Sequence, residues 1–122
     1  MKICIYGAGA IGGYLGAGLA LAGADVTLIA RGPHLQAMRE NGLTLVKDGE
    51  SRTAKVRATE DPVEAGPQDY VIVTLKAHSV PPIAHRFAPL FHDDTAVVWG
   101  VNGIPWWYFH GIEGEHRDRR ID

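Results

Sequence analysis

The sequence holds a single cysteine, Cys4, in 122 residues. No internal disulfide can form, and a thiol inside an apolar run reads as a small buried hydrophobe, not a redox centre. An excess of charge is also missing. Twelve basic and 14 acidic side chains leave a net charge of -2, which offers no electrostatic footprint for nucleic acid. The longest apolar stretch, Ile11 to Ala24, is too short and too rich in glycine to span a bilayer, so no membrane partner is expected. No basic stretch with a cleavage site precedes the first apolar run, so a secretory leader is not expected and the cytoplasm is the expected compartment. His78, His85 and His92 are evenly spaced, but Pro89 interrupts any helix that would align them, so no metal site is expected. Internal repeats, a nucleophile elbow and a Ser/His/Asp arrangement are absent as well.

What is present is a 46% hydrophobic chain with room for one domain and a real core, but not for two. Its first thirty-one residues organise the rest. Lys2 to Tyr6 has the composition of a strand buried on both faces of a parallel sheet. Gly7-Ala8-Gly9-Ala10-Ile11-Gly12 then fits G-x-G-x-x-G between a strand and a helix, the setting that gives this pattern its meaning. Gly7 permits the tight turn, Gly9 leaves room for a pyrophosphate against the backbone, and Gly12 lets the helix lie close to the strand. The phosphates would rest on unpaired N–H groups at the helix N-terminus, where the helix dipole favours negative charge.

The helix is expected over about Ile11 to Ala22, with Leu15, Leu19 and Ala22 on one face and Gly23 as its stop. Asp25 to Ala30 is the second strand. An NAD site usually places Asp or Glu at its end, about 20 residues after the glycines, to bond the ribose hydroxyls. Arg31 stands there instead. A guanidinium pairs with a 2′-phosphate that a carboxylate would repel, so the expected cofactor is NADP(H).

Pro33 opens a short helix that Asn41-Gly42 ends. Leu43–Val46 and Thr53–Ala58 flank Asp48-Gly49, a hairpin signal, and the second arm can double as the third parallel strand. Asp61 to Gly66 reads as a helical turn and Tyr70 to Leu75 as a buried strand. Lys76 follows at that strand's carboxyl end, where open α/β sheets bind ligands. Ser79 to Phe91 reads as helix despite its prolines, and Ala96 to Val101 as a fifth strand with Asn102-Gly103 at its end. Trp106 to Phe109 places four aromatics in a row with nothing after them expected to cover them. That surface and the fifth strand's edge point to a homodimer or poor solubility. The fold class is thus α/β: a Rossmann-type, doubly wound parallel sheet of about five strands plus a hairpin arm, with helices on both faces.

Ile3 to Gly13, Ile29-Ala30-Arg31, Val73-Thr74-Leu75-Lys76-Ala77 and Asn102-Gly103-Ile104-Pro105 together resemble the N-terminal NADP-binding domain of ketopantoate reductase (2-dehydropantoate 2-reductase), over essentially the whole chain. The resemblance implies that Gly7, Ala8, Gly9, Ala10, Ile11 and Gly12 hold the pyrophosphate, that Arg31 and Lys76 contact the 2′-phosphate side of NADPH, and that Asn102 lies near the nicotinamide ribose and the substrate. The implied reaction is NADPH-dependent reduction of 2-dehydropantoate to pantoate, on the way to pantothenate and coenzyme A. One departure is Val101, where the family often has a polar residue. Family members are also longer, with a helical domain that supplies the general-acid lysine and a carboxylate for the substrate. Residues 1–122 then read as the cofactor domain alone, without a sixth strand, with no catalytic residue of its own and poor activity by itself. A stand-alone nucleotide-binding or sensing module, and the cofactor domain of another 2-keto acid reductase, are the alternatives.

Overall fold

The computed structural model describes residues 1–121. In chain order the elements are β1 (Lys2–Tyr6), α1 (Ala10–Leu21), β2 (Asp25–Ile29), α2 (Gly32–Asn41), β3 (Leu43–Lys47), β4 (Glu50–Ala54), β5 (Arg57–Thr59), α3 (Pro62–Ala65) and β6 (Tyr70–Val73), followed by 3₁₀ helices at Ala77–Ser79 and Pro81–Leu90 and then β7 (Ala96–Trp99). Five strands form a parallel sheet in the order β5-β2-β1-β6-β7, and β3 and β4 form a separate antiparallel pair. Strand β1 is central, and past the exposed Lys2 it is Ile3, Cys4, Ile5 and Tyr6, all buried. It runs in register with β2 from Lys2↔Asp25 to Tyr6↔Ile29 and with β6 from Ile3↔Tyr70 to Tyr6↔Val73.

Side chains alternate across a strand, so β1 feeds two cores. Cys4 and Tyr6 join Ile29, Val71 and Val73 on one face, covered by Val80 and by Phe87 and Leu90 of the longer 3₁₀ helix. Ile5 joins Val26 and Leu28 on the other, covered by Leu35 and Met38 of α2 and by Leu15 and Leu19 of α1. The sheet is doubly wound, as the sequence implied. Gln68 ties three connections together: its side-chain amide donates to Ala65 O and Gly66 O, its N–H to Leu90 O, and its carbonyl accepts from Thr95 Oγ1.

The structure departs from the expected elements in four places. Thr53–Ala58 is not one strand. Its first part pairs antiparallel with β3 as far as Leu43↔Ala54, its last part pairs parallel with β2, and Lys55-Val56 makes the change of partner. The expected helix over Ser79–Phe91 winds as 3₁₀ between Pro81 and Leu90; Pro81 and Pro82 sit in its first turn, and Pro89 inside it has no N–H to donate. Ala22 is the exposed C-cap of α1, whereas Leu15 and Leu19 do pack inward. The aromatic run is partly covered: the tail folds back so that Ile121 N–H donates to Trp106 O at 3.1 Å and Asp118 N–H to Phe109 O at 2.9 Å. Ile104 and Tyr108 nevertheless stay largely exposed, and all four residues of β7 are exposed. Among the described residues no helix is long and apolar enough to cross a membrane.

Candidate functional site

A cleft of about 860 Å³ opens at the carboxyl ends of β1 and β2. Its floor is Tyr6, Ile29 and Ala30. One side is the glycine turn, another is Arg31 and His34 at the start of α2, and the hairpin residues Leu43 to Val46 form a rim. Leu75, Ser79, Ile83 and Arg86 close it from the β6 side, with Glu60 beside them.

Each glycine of the turn answers to a contact. Gly7 has φ +110°, a conformation that side chains other than glycine's rarely adopt, and a Cβ there would lie 2.8 Å from Leu75 Cδ2. Its N–H donates to Ile29 O at 3.1 Å, and its carbonyl accepts from Thr74 Oγ1 at 2.6 Å, so the turn is pinned to β2 and to the end of β6. A Cβ on Gly12 would sit 1.9 Å from Gly7 O, so α1 can rest on the turn only because that atom is missing. Gly9 is the opposite case. A Cβ there would meet no protein atom within 4 Å, leaving the backbone open toward the cleft.

Helix α1 starts with Gly9 as a N-cap that has no side chain to offer and has no acidic residue in its first turn. The first intrahelical bond runs from Gly13 N–H to Gly9 O at 2.7 Å. The N–H groups of Ala10, Ile11 and Gly12 therefore lack intrahelical acceptors at the positive end of the helix dipole, beside an open backbone, which is the donor set that an anionic diphosphate needs. The ring Nε2 of His34 donates to Ala8 O and joins α2 to the turn. Burial raises the Tyr6 phenol pKa, while the Arg86 and Arg31 guanidinium groups pull it the other way. Burial alone pushes the Cys4 thiol up to about 12, so it is inert in the native state.

The cleft thus brings together Gly7, Ala8, Gly9, Ala10 and Arg31. Gly12 lies buried behind the turn and Ile11 is mostly exposed; neither lines the cleft. Lys76 is exposed at the start of the first 3₁₀ helix, outside the lining. Asn102 lies in a separate pocket of about 220 Å³ past the end of β7, between Trp99, Trp106 and Trp107. Sequence reasoning did not find His34, Glu60, Arg86 or the hairpin rim. Arg86 belongs to no motif, but the alternation Leu43-Thr44-Leu45 hinted that one hairpin face needed something to cover. Among the described residues, no group of three His, Cys, Asp or Glu side chains could hold a metal ion.

This geometry agrees with the comparison to known proteins: residues 3–105 match the family described as ketopantoate reductase PanE/ApbA. The chain belongs to the ketopantoate reductase family. It corresponds to the N-terminal domain of that family, whose members use a nicotinamide cofactor. A 2-dehydropantoate 2-reductase of Mesorhizobium japonicum is 54% identical over the whole chain, which spans 38% of that protein. A protein assigned as a ketopantoate reductase from Ralstonia solanacearum MolK2 superposes with a TM-score of 0.89 at 49% identity, over 97% of this chain and 36% of the other. A ternary structure of D-mandelate dehydrogenase with NADH and anilino(oxo)acetate superposes with a TM-score of 0.77 at 33% identity, over 85% of this chain and 34% of the other. The chain thus spans a little over a third of the length of the first of these relatives.

Proposed function

We propose that residues 1–122 form a single NADP(H)-binding domain of a cytoplasmic reductase that converts the keto group of 2-dehydropantoate to the alcohol of pantoate, in the pathway to pantothenate and coenzyme A. The observation that carries the cofactor half of this reading is the junction of an uncapped α1 N-terminus, an open Gly9 backbone and Arg31 in one cleft. Gly7, Ala8, Gly9 and Ala10 hold the diphosphate at the α1 N-terminus, while Gly12 behind the turn keeps α1 close to it. Arg31 pairs with the 2′-phosphate. The cofactor supplies hydride. Asn102 orients the nicotinamide ribose and the 2-keto acid.

Residues 1–122 bind the nucleotide without turnover. Ketone reduction needs a proton donor as well as hydride, and the pocket around Asn102 is lined by Ala, Val, Trp, Gly and Pro with no titratable side chain. The D-mandelate dehydrogenase likeness supports a second reading, in which the cofactor is NADH and the substrate another 2-keto acid. Calorimetric titration of the chain with NADPH and with NADH separates the two. Tighter NADPH binding, weakened at least about tenfold by Arg31→Asp, is the expected result. Equal binding of both nucleotides, or an Arg31→Asp variant that binds NADPH as before, would overturn the NADP(H) assignment.

A further inference from the structure

We propose that Arg86 is a second cofactor-selecting residue, which with Arg31 forms a two-guanidinium clamp on the 2′-phosphate of NADP(H). The proposal rests on the cofactor reading above and adds to it a residue more than fifty positions from the glycine motif, one that no sequence pattern marks.

The geometry begins with sheet register. Strand β5 lies beside β2, with Ile29 opposite Thr59, and Ala30 N–H donates to Thr59 O at 3.0 Å. Glu60 therefore follows β5 where Ala30-Arg31 follows β2, and the two strand ends leave the sheet side by side. Arg86 comes from the opposite direction, out of the 3₁₀ helix packed over Tyr6 and Ile29, and its Nη2 donates to Glu60 O at 3.0 Å. That bond holds the guanidinium at the junction of the β2 and β5 ends, with its remaining N–H donors still to be satisfied. Arg31 and Arg86 both line the cleft, and both act on the ionisation of Tyr6 in its floor.

Two like charges at one rim repel unless something negative lies between them. None of the ion pairs found among the described residues includes Arg31 or Arg86. Glu60 lines the same cleft, but Arg86 bonds its backbone carbonyl and not its carboxylate. A dianionic phosphate bound between them would accept from both forks, whereas the ribose hydroxyls of NADH carry no charge to hold them. The backbone anchor matters because it removes much of the rotamer freedom that an arginine otherwise loses on binding.

The test is titration of the chain, and of Arg86→Met, Arg86→Lys and Arg31→Ala, with NADPH and NADH, each variant first shown to be folded by circular dichroism. Arg86→Met is expected to weaken NADPH binding about tenfold and leave NADH binding within about twofold, while Arg86→Lys restores part of the loss. Equal weakening toward both nucleotides would mean that Arg86 contacts a part they share, and unchanged NADPH binding would mean no contact; either overturns the clamp. Arg31→Ala distinguishes this failure from that of the underlying reading. If Arg31→Ala costs NADPH affinity and Arg86→Met does not, only the clamp falls. If neither does, the cofactor assignment falls with it.

Discussion

Strands β1 and β7 are close in composition and opposite in circumstance. Both are short, apolar and parallel to β6. Yet Cys4 and Ile5 of β1 are fully buried, whereas Val97, Val98 and Trp99 of β7 are 38%, 44% and 41% exposed. The difference comes from position: β1 has a strand on each side and a packed layer on each face, and β7 is the last strand of the sheet. An apolar run specifies a strand, but its contribution to stability depends on what lies above, below and beside it. The same divide separates the two pockets, one built from the pinned turn after β1, the other from tryptophans around an exposed edge.

The sharpest way to break this comparison is to shorten one side chain in each strand. Ile5→Ala should cost about 4 kcal/mol in urea unfolding, from lost transfer energy and a cavity between β1 and α1, against under about 1 kcal/mol for Val98→Ala. Comparable losses would mean that β7 is covered in solution. Next comes a pair of glycines, one in the first turn of α1 and one just past β7. Gly12→Ala forces a methyl to within 1.9 Å of Gly7 O and should cost about 3 kcal/mol, whereas at Gly100 the nearest atom is Thr74 Cγ2 at 3.2 Å and alanine should cost under about 1 kcal/mol.

The smallest effect is in alkali. The Cys4 thiol ionises near its ordinary 9.0 when unfolded but only near 12 when buried, so above pH 9 the unfolded chain sheds a proton that the folded chain keeps. Stability that is complete below pH 9 should fall by about 2 kcal/mol by about pH 10.5, and Cys4→Ala should flatten that part of the profile. A slope unchanged by the substitution would show that the β1 thiol is not sealed from water.

Much of the fold was legible because β1, the turn and α1 obey purely local rules. Gly7 and Gly12 are glycine for reasons that the next few residues and one neighbouring strand supply. The strand at Tyr70 and the turn at Asp48-Gly49 could be read for the same reason. Legibility stopped where a segment serves two partners, as Thr53–Ala58 does, or where a helical stretch winds as 3₁₀, as Pro81–Leu90 does. In the site, Arg31 was readable from its distance to the glycines. Arg86 was not, because its place is set by the packing of Phe87 and Leu90 under the sheet and by the end of a strand that pairs with β2.

The central position of β1 also has a consequence for the order in which the molecule can be built. Synthesis delivers β1 before its partner β2, which follows soon after across a short helix. Its other neighbour, β6, begins only at Tyr70. For all the time that the intervening residues are being made, β1 has one row of backbone donors and acceptors with no native strand beside it. The most deeply buried strand of the finished domain is therefore, during its birth, an open edge, and the contact that seals it is among the longest loop closures the chain must make.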